Sequence, residues 1–491
     1  MYIDLLAVIR HEAWKLDDSS SMDLALRGRP LHAGSATQSF SRIPIETLQE
    51  IFLHCRSPSP SVTEELAYHS IDLRGHSPQI APLLLCQICR SWRQAAISFP
   101  DIWTSLDIFV SVGKARPSAP LAATWLARSG TLPLSLSLHQ QNEFDDNCIA
   151  AGEIFELYKQ YISRWHNIHF DLTNSRYYRS LTSQQRSAPM LKEFSIGTSH
   201  LDLFGIFDFV PRLSNLRVPS IPNLSHLGDC SVPIPWSQLV SLSLDYIPSV
   251  CASLHILEKC PNLTDVSFKL WVSMDAPPLI NINPVHHKLR SLTINLLQDQ
   301  LSLFLGHVTF PGLIQATIYA REQRYYEWPQ AKLEEFLERS QCRLVHFEIH
   351  QTGMNYTDFA ACVCNRHLQS LVRFLVDDRR DWTWDPFFTD QAVGLLTCSS
   401  CDDINVSRRR ELARVGDSAC LLPNLESISI RGTSMWTTDG MVADMIESRW
   451  RFHHCKRLKY AELEMPSSQV EDIRRLKEFC SEGLELDIIL R

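Results

Sequence analysis

The feature that most constrains this chain is a short recurring pattern: a leucine, two residues, an apolar residue, one residue, and a second apolar residue. It appears as Leu191/Phe194/Ile196, Leu213/Leu216/Val218, Leu239/Leu242/Leu244, Leu263/Val266/Phe268, Leu289/Leu292/Ile294, Leu313/Ala316/Ile318 and Leu344/Phe347/Ile349. The leading leucines stand 22, 26, 24, 26, 24 and 31 residues apart, and further copies follow at Leu425/Ile428/Ile430 and Leu458/Ala461/Leu463. The last two apolar positions of each copy differ by two, so they share one face of a short strand, and the residue between them faces the other way. Between copies, Leu254 and Leu257 in 252–260, and Leu333, Phe336 and Leu337 in 332–339, recur at helical spacing.

A period of about 20 to 29 residues is that of leucine-rich repeats. Each such unit buries its apolar face only by stacking on its neighbours, which predicts an α/β solenoid, a curved parallel sheet inside and helices outside. Surfaces of this kind generally hold another macromolecule. The predicted inner row is Ser195, Arg217, Ser243, Ser267, Thr293, Thr317, Glu348, Ser429 and Glu462, mostly small hydroxyls that also suit a plain solvated sheet face. Binding energy concentrates in aromatic and arginine anchors. Two stretches supply them: Arg321, Arg324, Tyr325, Tyr326 and Trp328 after one strand, and Arg379, Arg380, Trp382, Trp384, Phe387 and Phe388 in an excursion interrupting the array at about 377–420. Both are candidates for substrate contact, and their aromatics can equally pack the excursion onto the solenoid.

Composition narrows the partners. Forty-seven Lys and Arg against 55 Asp and Glu give a net charge of −8, without the basic excess that nucleic-acid binding requires. No apolar run approaches the length of a membrane span, and the five apolar residues at 5–9 fall short of a signal peptide, so a cytoplasmic or nuclear location is expected. The closest glycines are six apart, whereas phosphate and dinucleotide loops place them two, three or five apart. No cofactor and no catalytic residue are predicted.

Fifteen cysteines are too sparse for a disulfide scaffold, so reduced thiols are expected. Cys86 and Cys89 share a face of a predicted helix and read as packing. Cys398, Cys401 and Cys420 have partial zinc spacing but lack a fourth ligand, and the expectation there is no metal. The pairs His286-His287 and His453-His454 read as surface residues.

Ahead of the repeats, Leu48, Ile51 and Phe52 mark a short amphipathic helix opened by Pro44, and 83–97 reads as a second helix, closed by Pro100-Asp101-Ile102-Trp103. These residues resemble the F-box: Ile43-Pro44 with Leu48 to Phe52, then Ile88-Cys89-Arg90-Ser91-Trp92-Arg93, then the Pro100 to Trp103 terminus. Within 41–108 the loop after Cys55 is longer than is usual for that family. Trp125 to Leu134 and the charged segment 470–480 resemble fungal F-box proteins with irregular leucine-rich repeats. The organisation expected is therefore an N-terminal segment 1–40, a small helical F-box at 41–108 and a repeat domain at 109–491.

The resemblance implies a non-catalytic receptor that binds a Skp-type adaptor, and through it cullin and RING subunits, while the repeats hold a protein substrate for ubiquitin transfer. The implied adaptor-facing positions are Ile43, Pro44, Ile45, Leu48, Ile51, Leu84 and Ile88. Phe52, Trp92 and Trp103 read as the module's own core. The alternative is a leucine-rich-repeat scaffold or sensor that joins no ligase.

Overall fold

In a computed structural model, the structure describes residues 43–55, 82–142, 144–173, 176–182, 187–197, 210, 213–220, 234–247, 249–270, 283–321, 328–351, 353–378, 387–398, 420–432, 435–451 and 455–490. Two compact units divide the chain, Met1–Leu191 and Lys192–Arg491.

The first unit opens with the helix Ile45–His54, which starts directly after Pro44. The fixed φ of proline, −55° here, suits the residue that precedes a first turn, and Leu48 and Phe52 form the buried stripe. The single helix expected over 83–97 is two, Leu85–Ile88 and Arg90–Ile97. Cys89 is extended between them, and its Sγ caps the second helix by accepting from the Trp92 amide at 3.5 Å. Cys86 and Cys89 therefore do not share one helical face.

After the 3₁₀ turn Pro100–Trp103 come β1 (Ser105–Ser111), β2 (Lys114–Arg116), β3 (Leu134–Gln140) and β4 (Trp165–Asp171), in the order β4-β3-β1-β2. All pairs are parallel except the β1–β2 hairpin. The expected boundary near 108 falls inside this unit, and the reason is tryptophan packing. Trp103 lies edge-on to Trp125, 5.2 Å between centroids, and donates to the Ala96 carbonyl at 2.8 Å, while Trp125 donates to Ser105 O at 3.1 Å. Helical module and sheet thus share one core.

The second unit contains β5 (Glu193–Ile196), β6 (Asn215–Ser220), β7 (Ser241–Ile247), β8 (Asp265–Leu270), β9 (Ser291–Leu297), β10 (Gln315–Arg321), β11 (His346–His350) and β12 (Arg373–Asp378). Further along come β13 (Phe388–Thr389), β14 (Ser427–Gly432), β15 (Met435–Trp436), β16 (Tyr460–Met465) and β17 (Glu485–Leu490). Strands β5 to β12 pair in sequence, then β14, β16 and β17 continue the sheet, and these pairs are parallel. A separate pair, β13 with β15, stands apart from it. This is the α/β, mostly parallel sheet that the repeat predicts.

The middle apolar position of the pattern stays in register across the unit, from Phe194 through Leu216, Leu242, Val266, Leu292, Ala316, Phe347, Phe374, Ile428 and Ala461 to Leu486. A backbone device repeats with it. The carbonyl of the residue immediately before a strand accepts two N–H groups from the next repeat: Val240 O takes Thr264 and Asp265, Thr264 O takes Arg290 and Ser291, and Arg290 O takes Ile314 and Gln315. The same forked contact continues through Ile314, Val345, Val372 and Glu426, so stacking and strand register are fixed together. The helices Val250–Lys259 and Gln298–His307 pack on β7 and on β9 and β10.

The interruption expected at about 377–420 follows a repeat strand that the leucine pattern above does not count. β12 is a full repeat strand carrying Phe374 and Val376 in the core, and the helix Asp390–Leu396 follows β13. Among the described residues no helix is long and apolar enough to cross a membrane.

Candidate functional site

Three places combine chemistry with access, and the first is the surface of the helical module. Its core is filled by Leu48, Phe52, Leu85, Trp92 and Trp103, with the Phe52 and Trp92 rings 5.3 Å apart. Leu48, expected to face an adaptor, is 3% exposed and belongs to that core, because its position on the helix lies one turn from Phe52 on the inward stripe. Outside the core, Ile45 is 48% and Ile88 42% exposed, with Leu53 and Ile97 also open. Pro44 is exposed, and Ile43, Ile51 and Leu84 are half-buried.

The second place is the polar row of the sheet. The residues predicted for the inner row do form one register line: Ser195, Arg217, Ser243, Ser267, Thr293, Thr317 and Glu348 pair strand to strand, then Leu375, Ser429, Glu462 and Asp487. Its second half departs from a plain hydroxyl ladder. Arg431 forms a two-pronged pair with Glu462, Nε to Oε1 and Nη2 to Oε2 both 2.7 Å, and its Nη1 lies 3.6 Å from Asp377. Asp377 and Glu348 flank His350 at 3.9 and 3.8 Å, and Glu348 also meets Arg373 at 3.3 Å.

Charges therefore alternate across four strands. Tyr319 lies flat on His350, centroids 4.3 Å apart and planes 13° from parallel. Burial disfavours charge on His350, but the carboxylates of Asp377 and Glu348 outweigh it and hold its pKa above the ordinary value. The first unit repeats the motif: His139 sits 3.4 Å from Asp107 and 3.9 Å from Asp171, and against burial these push its pKa up to about 9. Neither histidine triad was singled out by the sequence, because Asp107, His139 and Asp171 come from three strands, and Asp377 reaches Glu348 and His350 only from the neighbouring strand.

The third place is a cysteine cluster. Cys398 and Cys420 are joined as a disulfide, where reduced thiols were expected, and Cys455 Sγ lies 3.6 Å from Cys398 Sγ. All three sulfurs lie within 4.8 Å of one another. The sequence reading grouped Cys398 and Cys420 with Cys401 on spacing but missed Cys455, which is brought in by the helix Met441–Arg451 from a different repeat. Cys401 lies outside the described residues.

The expected substrate anchors fare differently. Trp328 is 3% exposed and donates to Gln330 Oε1 at 2.9 Å, so it packs the start of the helix Gln330–Ser340 and is not available to a partner. Arg321 ends β10. Arg324, Tyr325, Tyr326, Arg379, Arg380, Trp382 and Trp384 lie outside the described residues. Phe387 and Phe388 are buried against Phe359, at 5.7 and 6.2 Å, and so pack the excursion onto the helix Tyr356–Val363. His286, expected at the surface, is buried near the Phe310 ring, and burial lowers its pKa. The His453-His454 pair lies outside the described residues. No protein-family model matches the chain, and no curated protein matches it.

Proposed function

We propose that this chain is the substrate-recognition subunit of a Skp-cullin-F-box type ubiquitin ligase. The observation that carries the reading is the helical module whose core is already filled, yet which leaves Ile45 and Ile88 open together with Pro44. Apolar side chains of this size gain about 1.5–3 kcal/mol each on full burial, so such a surface favours a partner with a complementary apolar groove. A Skp-type adaptor is that partner in this reading, and Leu48 contributes by shaping the helix from within.

The repeat sheet is the substrate side. Its row of Glu348, Asp377 and Arg431, backed by the buried His350 and Glu462, offers fixed charges of both signs, which suit a polar protein segment better than a nucleic acid. The chain itself supplies no catalytic step: holding a substrate lysine near a charged ubiquitin-conjugating enzyme raises its effective concentration, and partner subunits carry the chemistry.

The test is co-purification of a Skp-type adaptor with the intact chain, beside a variant carrying Ile45→Asp and Ile88→Asp, with circular dichroism of both. Capture by the intact chain and loss in the equally folded variant is expected. No capture by the intact chain overturns the reading and leaves a leucine-rich-repeat scaffold or sensor.

A further inference from the structure

We propose that Cys398, Cys420 and Cys455 form a binding site for a thiophilic divalent cation, zinc, when the Cys398–Cys420 disulfide is reduced. Among the described residues these three are the one group of three or more His, Cys, Asp or Glu side chains whose ligand atoms all lie within 4.8 Å of one another. They come from three segments: the end of the helix Asp390–Leu396, the turn before β14, and the stretch after the helix Met441–Arg451.

The geometry fits a metal. Two thiolates on one tetrahedral zinc, at about 2.3 Å each, stand about 3.8 Å apart. Cys398 Sγ and Cys455 Sγ are 3.6 Å apart already, and the third sulfur is within 4.8 Å of both. A disulfide uses two of the three sulfurs, whereas a cation uses all three.

The frame around the sulfurs is held without them. Arg449 is fully buried and donates from Nε to Leu396 O at 2.7 Å, from Nη2 to Leu421 O at 2.7 Å and from Nη1 to Leu422 O at 3.3 Å. Ser448 Oγ accepts the Cys398 amide at 3.0 Å. One helix turn thus ties down the backbone on either side of Cys398 and Cys420, whichever bonds their sulfurs make. Charge agrees as well: three thiolates and a divalent cation carry a net −1, next to a guanidinium. Cys455 is only half-buried, which leaves a side open for a water or another donor as fourth ligand.

The balance is simple. A phosphine reductant supplies two electrons, and with two protons converts the disulfide to two thiols; the cation then displaces three protons as three thiolates bind it.

The experiment uses the full chain, reduced with a phosphine under anaerobic conditions and titrated with Co(II) as a spectroscopic stand-in for zinc. One equivalent is expected to give an intense thiolate-to-cobalt charge-transfer band that Zn(II) abolishes. Cys420→Ser and Cys455→Ser should lose it, and Cys480→Ser, an exposed cysteine elsewhere, should keep it. Because a variant at the cluster can unfold, the wild-type chain is also alkylated with and without zinc and its peptides are weighed. Zinc should protect Cys398, Cys420 and Cys455 together while Cys480 stays reactive. Absence of the band in the reduced chain, its persistence in folded Cys455→Ser, or equal alkylation of Cys455 with and without zinc each overturns the site.

Discussion

Arg431 and Glu462 meet side by side across β14 and β16, both prongs of the guanidinium 2.7 Å from the two carboxylate oxygens. Glu462 is buried, so the pair is drier than a surface ion pair, and its parallel geometry is the strong form of a charge-assisted hydrogen bond. Arg431→Met leaves that carboxylate in place without its partner. The expected loss is about 2 kcal/mol or more, toward the 3 to 5 kcal/mol of breaking a fully buried pair. A double-mutant cycle with Glu462→Gln, read by urea unfolding, should return a coupling of about 1 to 3 kcal/mol. Strict additivity would mean the two side chains do not act as a unit.

His139 makes the first unit sensitive to pH. Burial opposes its charge, but Asp107 and Asp171 raise its pKa from the ordinary 6.5 to about 9. The folded state therefore binds the proton more tightly than the unfolded chain. That stabilisation is fully present below pH 6.5 and is lost as pH rises through about 9. A tenfold change in proton affinity is worth about 1.4 kcal/mol, so the effect is at most about 3.5 kcal/mol, less what solvent at the partly open ring screens. Unfolding midpoints followed by tryptophan fluorescence should fall across this window in the wild-type chain. His139→Gln should flatten the fall, and an imidazole that titrates near 6.5 by nuclear magnetic resonance would contradict the assignment.

Much of this architecture is legible in the sequence because the repeat is written in apolar spacing. Leu242 and Leu244, or Leu292 and Ile294, announce both the strand and the face it buries. Ser243 and Thr293 then fall correctly into one polar row. The strands that were missed use other residues for the same work. β4 fills its core with Trp165, Ile168 and Phe170, and the aromatics do not look like a leucine repeat. β12 does carry the pattern, with Leu371, Phe374 and Val376, but the tryptophans and arginines directly after it draw attention away. The break at Cys89 has no glycine or proline to signal it. Sites are less legible than strands: Arg431, Asp377 and His350, like Cys398, Cys420 and Cys455, meet only because the fold places residues 22 to 57 positions apart side by side.

Gly312 marks a point where two backbones come close. A Cβ there would run into the His287 carbonyl oxygen and crowd that of Leu289, both backbone atoms that cannot swing aside. The turn also presents Gly312 O to Arg290 Nη1 at 3.1 Å. Gly312→Ala must shift one repeat against the next, which by the cost of overpacking is about 1 to 3 kcal/mol. Chemical denaturation should show that loss. Gly306→Ala is the control, since a Cβ there meets nothing within 4 Å and a helix interior favours alanine by up to about 1 kcal/mol. Equal effects at the two positions would remove the steric explanation.

Arg449 separates charge from geometry. Its guanidinium reaches the carbonyls of Leu396, Leu421 and Leu422 from one rigid fork. Arg449→Met fills similar space but leaves those acceptors without that donor, and an unsatisfied buried group costs about 1 to 3 kcal/mol, so a loss of roughly 3 kcal/mol or more is expected. Arg449→Lys keeps the charge as a compact point with a shorter reach, which cannot span three carbonyls in the same directions. Its unfolding midpoint should therefore lie near that of the Met variant. If Lys restores wild-type stability, the positive charge near the cysteine cluster matters and the fork does not. If Lys fails as Met does, the fork itself holds the segments that carry Cys398 and Cys420, and the charge of residue 449 by itself does not.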